Sequence, residues 1–271
     1  MELLFREIVD ELIQCPEVEA IALAGSKVTS YEDQLSDHNF YVYTNTELSH
    51  KTRKRITNKY LRYVEFNNQY WETEDDGQLN DGSEIRLIYR DIRAFDQMIS
   101  QIAFEHKARI GYTTSFWYNL LHAEILFDRN QQLADLQKKY QIPYPPELKT
   151  AILQKNHGLL RRQMPAYIFQ MTKAVSRKDL VALNHVVSNY LASYFDILFA
   201  VNEKLHPGEK KLVEYVKNRC QWIPDSFEAH LEDIVLLAAT ADEKLIATVN
   251  SMIDELDHCI RQAGRHFSDE L

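Results

Sequence analysis

The sequence predicts an α+β protein, with an α/β half over residues 1–141 and an all-helical bundle over 147–271. Three observations predict it. Up to about residue 140, short runs rich in aromatic and β-branched residues alternate with amphipathic helical patterns. Beyond that point apolar residues recur at steps of three and four. Between the two, "QIPYPPE" at 141–147 concentrates prolines that neither a helix interior nor a central strand tolerates, and so marks a boundary. A chain of 271 residues with 45% hydrophobic content can bury substantial cores.

Leu3, Leu4, Ile8, Leu12 and Ile13 share one stripe and predict a helix over 2–14, which Pro16 ends. "VEAIALAG" reads as a strand stopping at Gly25, and "NFYVYT" as a second strand after a polar loop over 27–36. Residues 47–60, with Lys51, Arg53, Lys54, Arg55 and Lys59, suit an exposed basic helix. "YVEF" is a third strand and "EIRLIY" a fourth, following an Asp81-Gly82 turn signal. Helical periodicity returns at 92–104, "AEILF" reads as one more strand, and a helix follows at 130–140. In the second half, Val187, Tyr190, Leu191, Tyr194, Phe195 and Leu198 line one helix face. Leu245, Ile246, Val249, Met252, Ile253, Leu256 and Ile260 line another, whose start Thr240 and Glu243 mark as a capping box. The region 147–266 is expected to hold four or five helices.

A net charge of -9 disfavours a nucleic-acid partner. Cys15, Cys220 and Cys259 lie far apart with no metal or redox spacing, which suits a reducing cytoplasm. The N-terminus lacks the pattern of a signal peptide, and the longest apolar run, "IVLLAATA", is far short of the roughly 20 residues that span a bilayer, so no membrane partner is expected. The histidines show no HExxH spacing, and the chain has neither GxSxG nor a Walker-type loop.

Chemistry concentrates elsewhere. Asp37 and Asn39 stand two residues apart at the head of a strand, so they point the same way and can share a hard cation such as Mg²⁺. Just upstream, Gly25 permits close backbone approach, and Ser26 adds a hydroxyl and an N–H for a phosphate oxygen. Glu84 and Arg86 share a face of a later strand, the first as a candidate base or metal ligand, the second as a phosphate clamp. Lys210, beside Lys211 where a helix should begin, is a candidate phosphate contact. "WETEDDGQLNDG" gathers Glu72, Glu74, Asp75, Asp76 and Asp81. Its plain reading is a solvated loop, and its chemical one is attraction for a polycationic acceptor.

The order of "LAGS" at 23–26, "SDHNFYVY" at 36–43 and "DGSEIRLIY" at 81–89 resembles the polymerase-β-like nucleotidyltransferase superfamily. Within it the likeness is to lincosamide and aminoglycoside nucleotidyltransferases with a helical C-terminal domain. "AEILFDRNQQLADL" at 123–136 and "NEKLHPGEKKL" at 202–212 resemble the same group. The resemblance implies a small mixed sheet with the site at its edge, closed over by a helical bundle. It also implies Mg²⁺, a nucleoside triphosphate donor such as ATP, and transfer of a nucleoside monophosphate to a hydroxyl of a small acceptor, aminoglycoside-like or lincosamide-like. By position, metal binding falls to Asp37 and Asn39, phosphate contact to Gly25 and Ser26, and the base to Glu84. The chain departs from the pattern in having Asn39 for an acid and no second glycine after Gly25-Ser26. A two-residue shift of alignment would also put Arg86 in the place of Glu84. A catalytically silent relative that binds nucleotide or a partner is therefore the alternative.

Overall fold

A proline sets the end of the first element. Pro16 stops α1 (Leu3–Ile13), after which β1 (Val18–Ala24) buries almost every side chain. A computed structural model describes residues 3–24 and 38–269 of the chain. Two units emerge, one of residues 1–100 with 119–142, the other of 101–118 with 143–271.

The first unit is built on a six-stranded sheet. After β1 come β2 (His38–Thr44), α2 (His50–Tyr60), β3 (Leu61–Asn68), β4 (Thr73–Leu79), β5 (Glu84–Asp91), α3 (Ile92–Ala103), α4 (Ser115–His122), β6 (Glu124–Asp128) and α5 (Gln132–Tyr140). The strand order is β3-β4-β5-β2-β1-β6, and only the β2–β5 pair is parallel. A parallel pair needs a long crossover, and α2 with the β3–β4 hairpin supplies it. The α+β class predicted from sequence is the class observed. Gly82 has φ +96°, its N–H bonds to the Leu79 carbonyl, and Asp81 accepts from the Ser83 N–H, which closes the tight turn into β5.

One face of the sheet is dry. Phe40 and Val42 of β2, Ile85 and Leu87 of β5 and Leu79 of β4 pack against Phe5, Ile8 and Leu12 of α1 and Ile56 and Tyr60 of α2. Each such side chain contributes on the order of 2 kcal/mol by leaving water. The same face holds a buried ion pair. Arg53 donates through Nε and Nη2 to the two oxygens of Asp75 at 2.9 and 2.6 Å, and both side chains are almost wholly buried. Asn67 sits at a bulge of β3 with φ +58°, and its N–H donates to Asp75 while its side-chain oxygen accepts from Arg53. The guanidinium also lies over the Phe66 and Tyr89 rings.

Two expectations are corrected by this pair. The basic helix is not wholly exposed, because Arg53 is drawn in by Asp75, and the acid-rich run is not a loop, because residues 73–79 form β4. Strand pairing on both sides overrides the low β propensity of Asp, Glu and Gly. Gly77 admits the close approach of β3, since a Cβ there would lie 2.6 Å from the Tyr63 carbonyl oxygen.

In the second unit six helices follow the proline-rich stretch among the described residues, where four or five were expected. They are α6 (Pro146–Arg161), α7 (Tyr167–Arg177), α8 (Leu180–Val201), α9 (Leu212–Arg219), α10 (Phe227–Thr240) and α11 (Lys244–Asp269). The others pack on α8, α9 through a ring contact of Tyr215 with Phe199, and Tyr190, Tyr194, Ile197 and Leu198 of α8 are fully buried. Thr240 closes α10 instead of capping α11, because Ala241 takes a left-handed conformation and Asp242 accepts from the Lys244 N–H. Inside α8, Asp196 accepts from the N–H and hydroxyl of Thr113 at 2.9 and 2.6 Å. Asn202 binds the Leu198 and Trp222 carbonyls through Nδ2 and the N–H groups of Gln221 and Trp222 through Oδ1, which fixes the chain on both sides of α9.

Replacing Asp75 by Ala strands Arg53 in the core and should cost about 3–5 kcal/mol in urea unfolding. Replacing Glu11 by Gln, which loses partly exposed pairs to Arg55 and Lys59, should cost no more than about 1 kcal/mol. A second expectation concerns Asp196, whose carboxyl burial pushes up to about 6. The folded state then holds that proton more tightly than the unfolded state, so the penalty is fully present above pH 6 and lifts as pH falls toward about 4. Through Asp196 the native chain should gain unfolding free energy between pH 7 and pH 5, and Asp196→Asn should remove this contribution.

Candidate functional site

Gly25, Ser26 and Asp37 lie outside the described residues. Of the residues singled out from sequence, Asn39, Glu84 and Arg86 are described in the first unit, and Lys210 is described separately in the second.

The parallel β2–β5 ladder pairs His38 with Ile85, Asn39 with Arg86 and so on to Thr44 with Asp91. Directly paired residues present their side chains to one face, so Arg86, and not Glu84, stands opposite Asn39. The antiparallel neighbours extend the row, with Asp76 opposite Arg86 and Glu65 opposite Asp76. An amide, a guanidinium and two carboxylates thus cross four strands in line, on the face away from α1 and α2.

Asn39 Oδ1 is buried and has no hydrogen-bond partner among the described residues. Arg86 Nε is 3.9 Å from Asp76 Oδ1, an ion pair too long to be a hydrogen bond. Asp76 Oδ2 accepts from Asn68 Nδ2 at 3.0 Å, whereas its Oδ1 is buried with no hydrogen bond. Glu84 is exposed at the start of β5. Asp76, Glu84 and Arg86 line a cleft of about 440 Å³ with Tyr63, Glu65 and Gln78. Three carboxylates, Glu65, Asp76 and Glu84, surround one guanidinium there.

Further along the face the sheet is closed. Arg90 is buried, donates twice to Glu72 at 2.7 Å, reaches Tyr43 Oη and Asn119 Oδ1, and lies over the Tyr41 and Phe95 rings. On this face of β5 the exposed charged side chains are Glu84 and Arg86, at its start, whereas Arg90 is buried. Lys210, on the second unit, is exposed and precedes Lys211, the residue before α9.

Sequence reasoning named Glu74 only as one acid of a run read as a solvated loop or an attractor of polycations. Glu74 points to the same face as Asp76, two residues away, and is nearly buried. Burial pushes its carboxyl up to about 7, Asp76 and Glu72 add to the rise, and Arg86 opposes it. The available signal was the alternation of Glu74, Asp76 and Gln78 against Asp75, Gly77 and Leu79. It was hard to see because one face of the strand carries acids where apolar residues are expected.

The Mg²⁺ that the resemblance implies needs anionic oxygens at close range. The Asn39–Arg86 pair supplies one neutral amide oxygen and a guanidinium, which has donors only. Among the described residues no group of three or more His, Cys, Asp or Glu side chains is placed to hold a metal. Asp37, the acid that the resemblance assigns to the metal, lies outside the described residues. No helix among them is long and apolar enough to cross a membrane.

A family model described as a domain of unknown function, DUF4037, matches residues 115–212, from α4 to the first residue of α9. No curated protein matches the chain. Among solved structures, the chain is similar to a nucleotidyltransferase-like protein from Exiguobacterium sibiricum, at 18% identity and a TM-score of 0.44, over 95% of this chain and 73% of that one. It is also similar to an aminoglycoside 6-adenyltransferase from Bacillus subtilis, at 8% identity and a TM-score of 0.28, over 95% and 89% of the two chains. Likenesses this distant carry no argument about the chemistry of this chain.

Carboxyl-resolved NMR should find Glu74 titrating near pH 7. Asp76→Asn should move its midpoint down by removing a like charge, and Arg86→Met should move it up by removing the opposite one.

Proposed function

We propose that the chain is a nucleotidyltransferase-like protein that binds the phosphate tail of a nucleoside triphosphate, such as ATP, through Arg86 and does not transfer it. The observation that carries this reading is the β2–β5 register, which sets Arg86 opposite Asn39. A pair of acids in those places would need a cation to accept phosphate. The Asn and Arg pair supplies a fixed positive charge and a fork of N–H donors that phosphate oxygens can meet directly. Gly25 and Ser26 are assigned to the same phosphates by the sequence pattern alone. A cytoplasmic location is part of the proposal, supported by three cysteines that are all free.

One observation favours a second reading, an active transferase acting on a small cationic acceptor. The cleft beside Arg86 is lined by Glu65, Asp76 and Glu84, and exposed Glu84 can take a proton from an acceptor hydroxyl. On this reading Asp37 and Asn39 hold Mg²⁺, against which the guanidinium of Arg86 weighs.

Calorimetric titration with ATP separates the two. Binding that persists in EDTA and weakens at least tenfold in Arg86→Ala, the loss of about 1.4 kcal/mol or more, is the expected result. Strict dependence on Mg²⁺, or release of pyrophosphate with a panel of aminoglycosides and lincosamides, would overturn the silent reading in favour of the transferase. Restoring acids in Asn39→Asp with Arg86→Asp should convert metal-independent binding into metal-dependent binding.

A further inference from the structure

We propose that Asp76 and Glu74 form a proton-controlled competitor for Arg86, so that phosphate binding at this site tightens as the medium turns acidic. The inference rests on the anion-binding reading above and adds its regulation.

Asp76 is placed for this role by register and by what holds it. It lies opposite Arg86 in the β4–β5 ladder, and Asn68 fixes one of its oxygens while the other, 3.9 Å from the guanidinium, has no hydrogen bond. A phosphate approaching Arg86 therefore enters beside a fixed carboxylate. The two anions repel, and the phosphate displaces Asp76 as the partner on that side.

Glu74 sets the charge behind Asp76. The groups facing it are Asp76 on its own strand, Glu72 in the turn just before it, Arg86 and Arg90 on β5, and Asn68 across on β3. Arg90 is taken up by Glu72 in a two-pronged pair, so Arg86 provides the main opposing attraction. When ionised, Glu74 adds a second negative charge to the face that the phosphate meets. When protonated it is neutral and can donate to Asp76. A bound phosphate favours the protonated form, so binding and proton uptake are linked, and by reciprocity a lower pH favours phosphate. The burial that pushes Glu74 up to about 7 sets the range near neutrality.

The test is titration of the full chain with inorganic triphosphate in EDTA at pH 8 and pH 6. The native chain should bind more tightly at pH 6, by roughly tenfold for each pKa unit that phosphate adds to Glu74. Triphosphate itself gains charge as pH rises, which works in the opposite direction, so Glu74→Gln serves as the reference. That variant should bind at pH 8 more tightly than the native chain and lose the gain at pH 6. Asp76→Asn should bind more tightly at both pH values. Native binding at pH 7 in buffers of different ionisation enthalpy should take up more protons than binding by Glu74→Gln. If the two chains take up the same number of protons, or share one pH dependence, the competitor is overturned while the anion site stands. If neither the native chain nor Asp76→Asn binds triphosphate at either pH, the anion site falls and the competitor with it.

Discussion

The parallel pairing of β2 with β5 is the constraint on which the rest of the candidate site depends. It is the one parallel contact in the sheet, and it exists because α2 and the β3–β4 hairpin carry the chain across before β5 returns. Its register fixes which side chain of β5 meets Asn39. Every further neighbour in the row, from Asp76 to Glu65, inherits its place from that one alignment. Shifted by two residues the same strands would set Glu84 beside Asn39, and the site would carry an acid where it now carries a guanidinium.

The crossover hairpin is held from both faces by buried charge. On the dry face Arg53 of α2 binds Asp75, and on the other Arg90 of β5 binds Glu72, both through two hydrogen bonds. Burying such pairs adds little net stability compared with apolar packing, but breaking one is costly, which makes them good determinants of alignment. Together they hold β4 against β5. An acid-rich segment with poor strand propensity thereby becomes an ordered wall of the cleft.

Much of the first unit was legible because its strands are apolar on one or both faces. β1, β2 and β5 announce themselves through Ile, Val, Phe and Tyr, and the turn at Asp81-Gly82 through its glycine. β4 was not legible, because its place depends on partners distant in sequence and its residues are those of a loop. Arg53 was read as exposed for the same reason, since nothing local to α2 reveals the Asp75 that draws it inward. In the second half the helical character was plain from periodicity, while the division into six helices turned on left-handed residues such as Lys178 and Ala241 that no local pattern marks. At the site, sequence spacing singled out Asn39, Glu84 and Arg86 but could not choose between Glu84 and Arg86. Hydrogen-bond register, a property of two strands 47 positions apart, is what sets Arg86 opposite Asn39.

Asp75 and Asp76 are adjacent in the chain and opposite in orientation, the first locked to Arg53 in the core and the second facing Arg86 in the cleft. A strand reverses its faces with every step, so the insertion or deletion of a single residue in β4 would exchange the two. The core would receive a carboxylate with no place in it, and the cleft would lose the one that confronts its guanidinium. Length changes in this hairpin are therefore filtered by folding and by ligand chemistry at once. Related chains are expected to vary the composition of the 69–72 turn far more freely than the count of residues between Asn67 and Gly82.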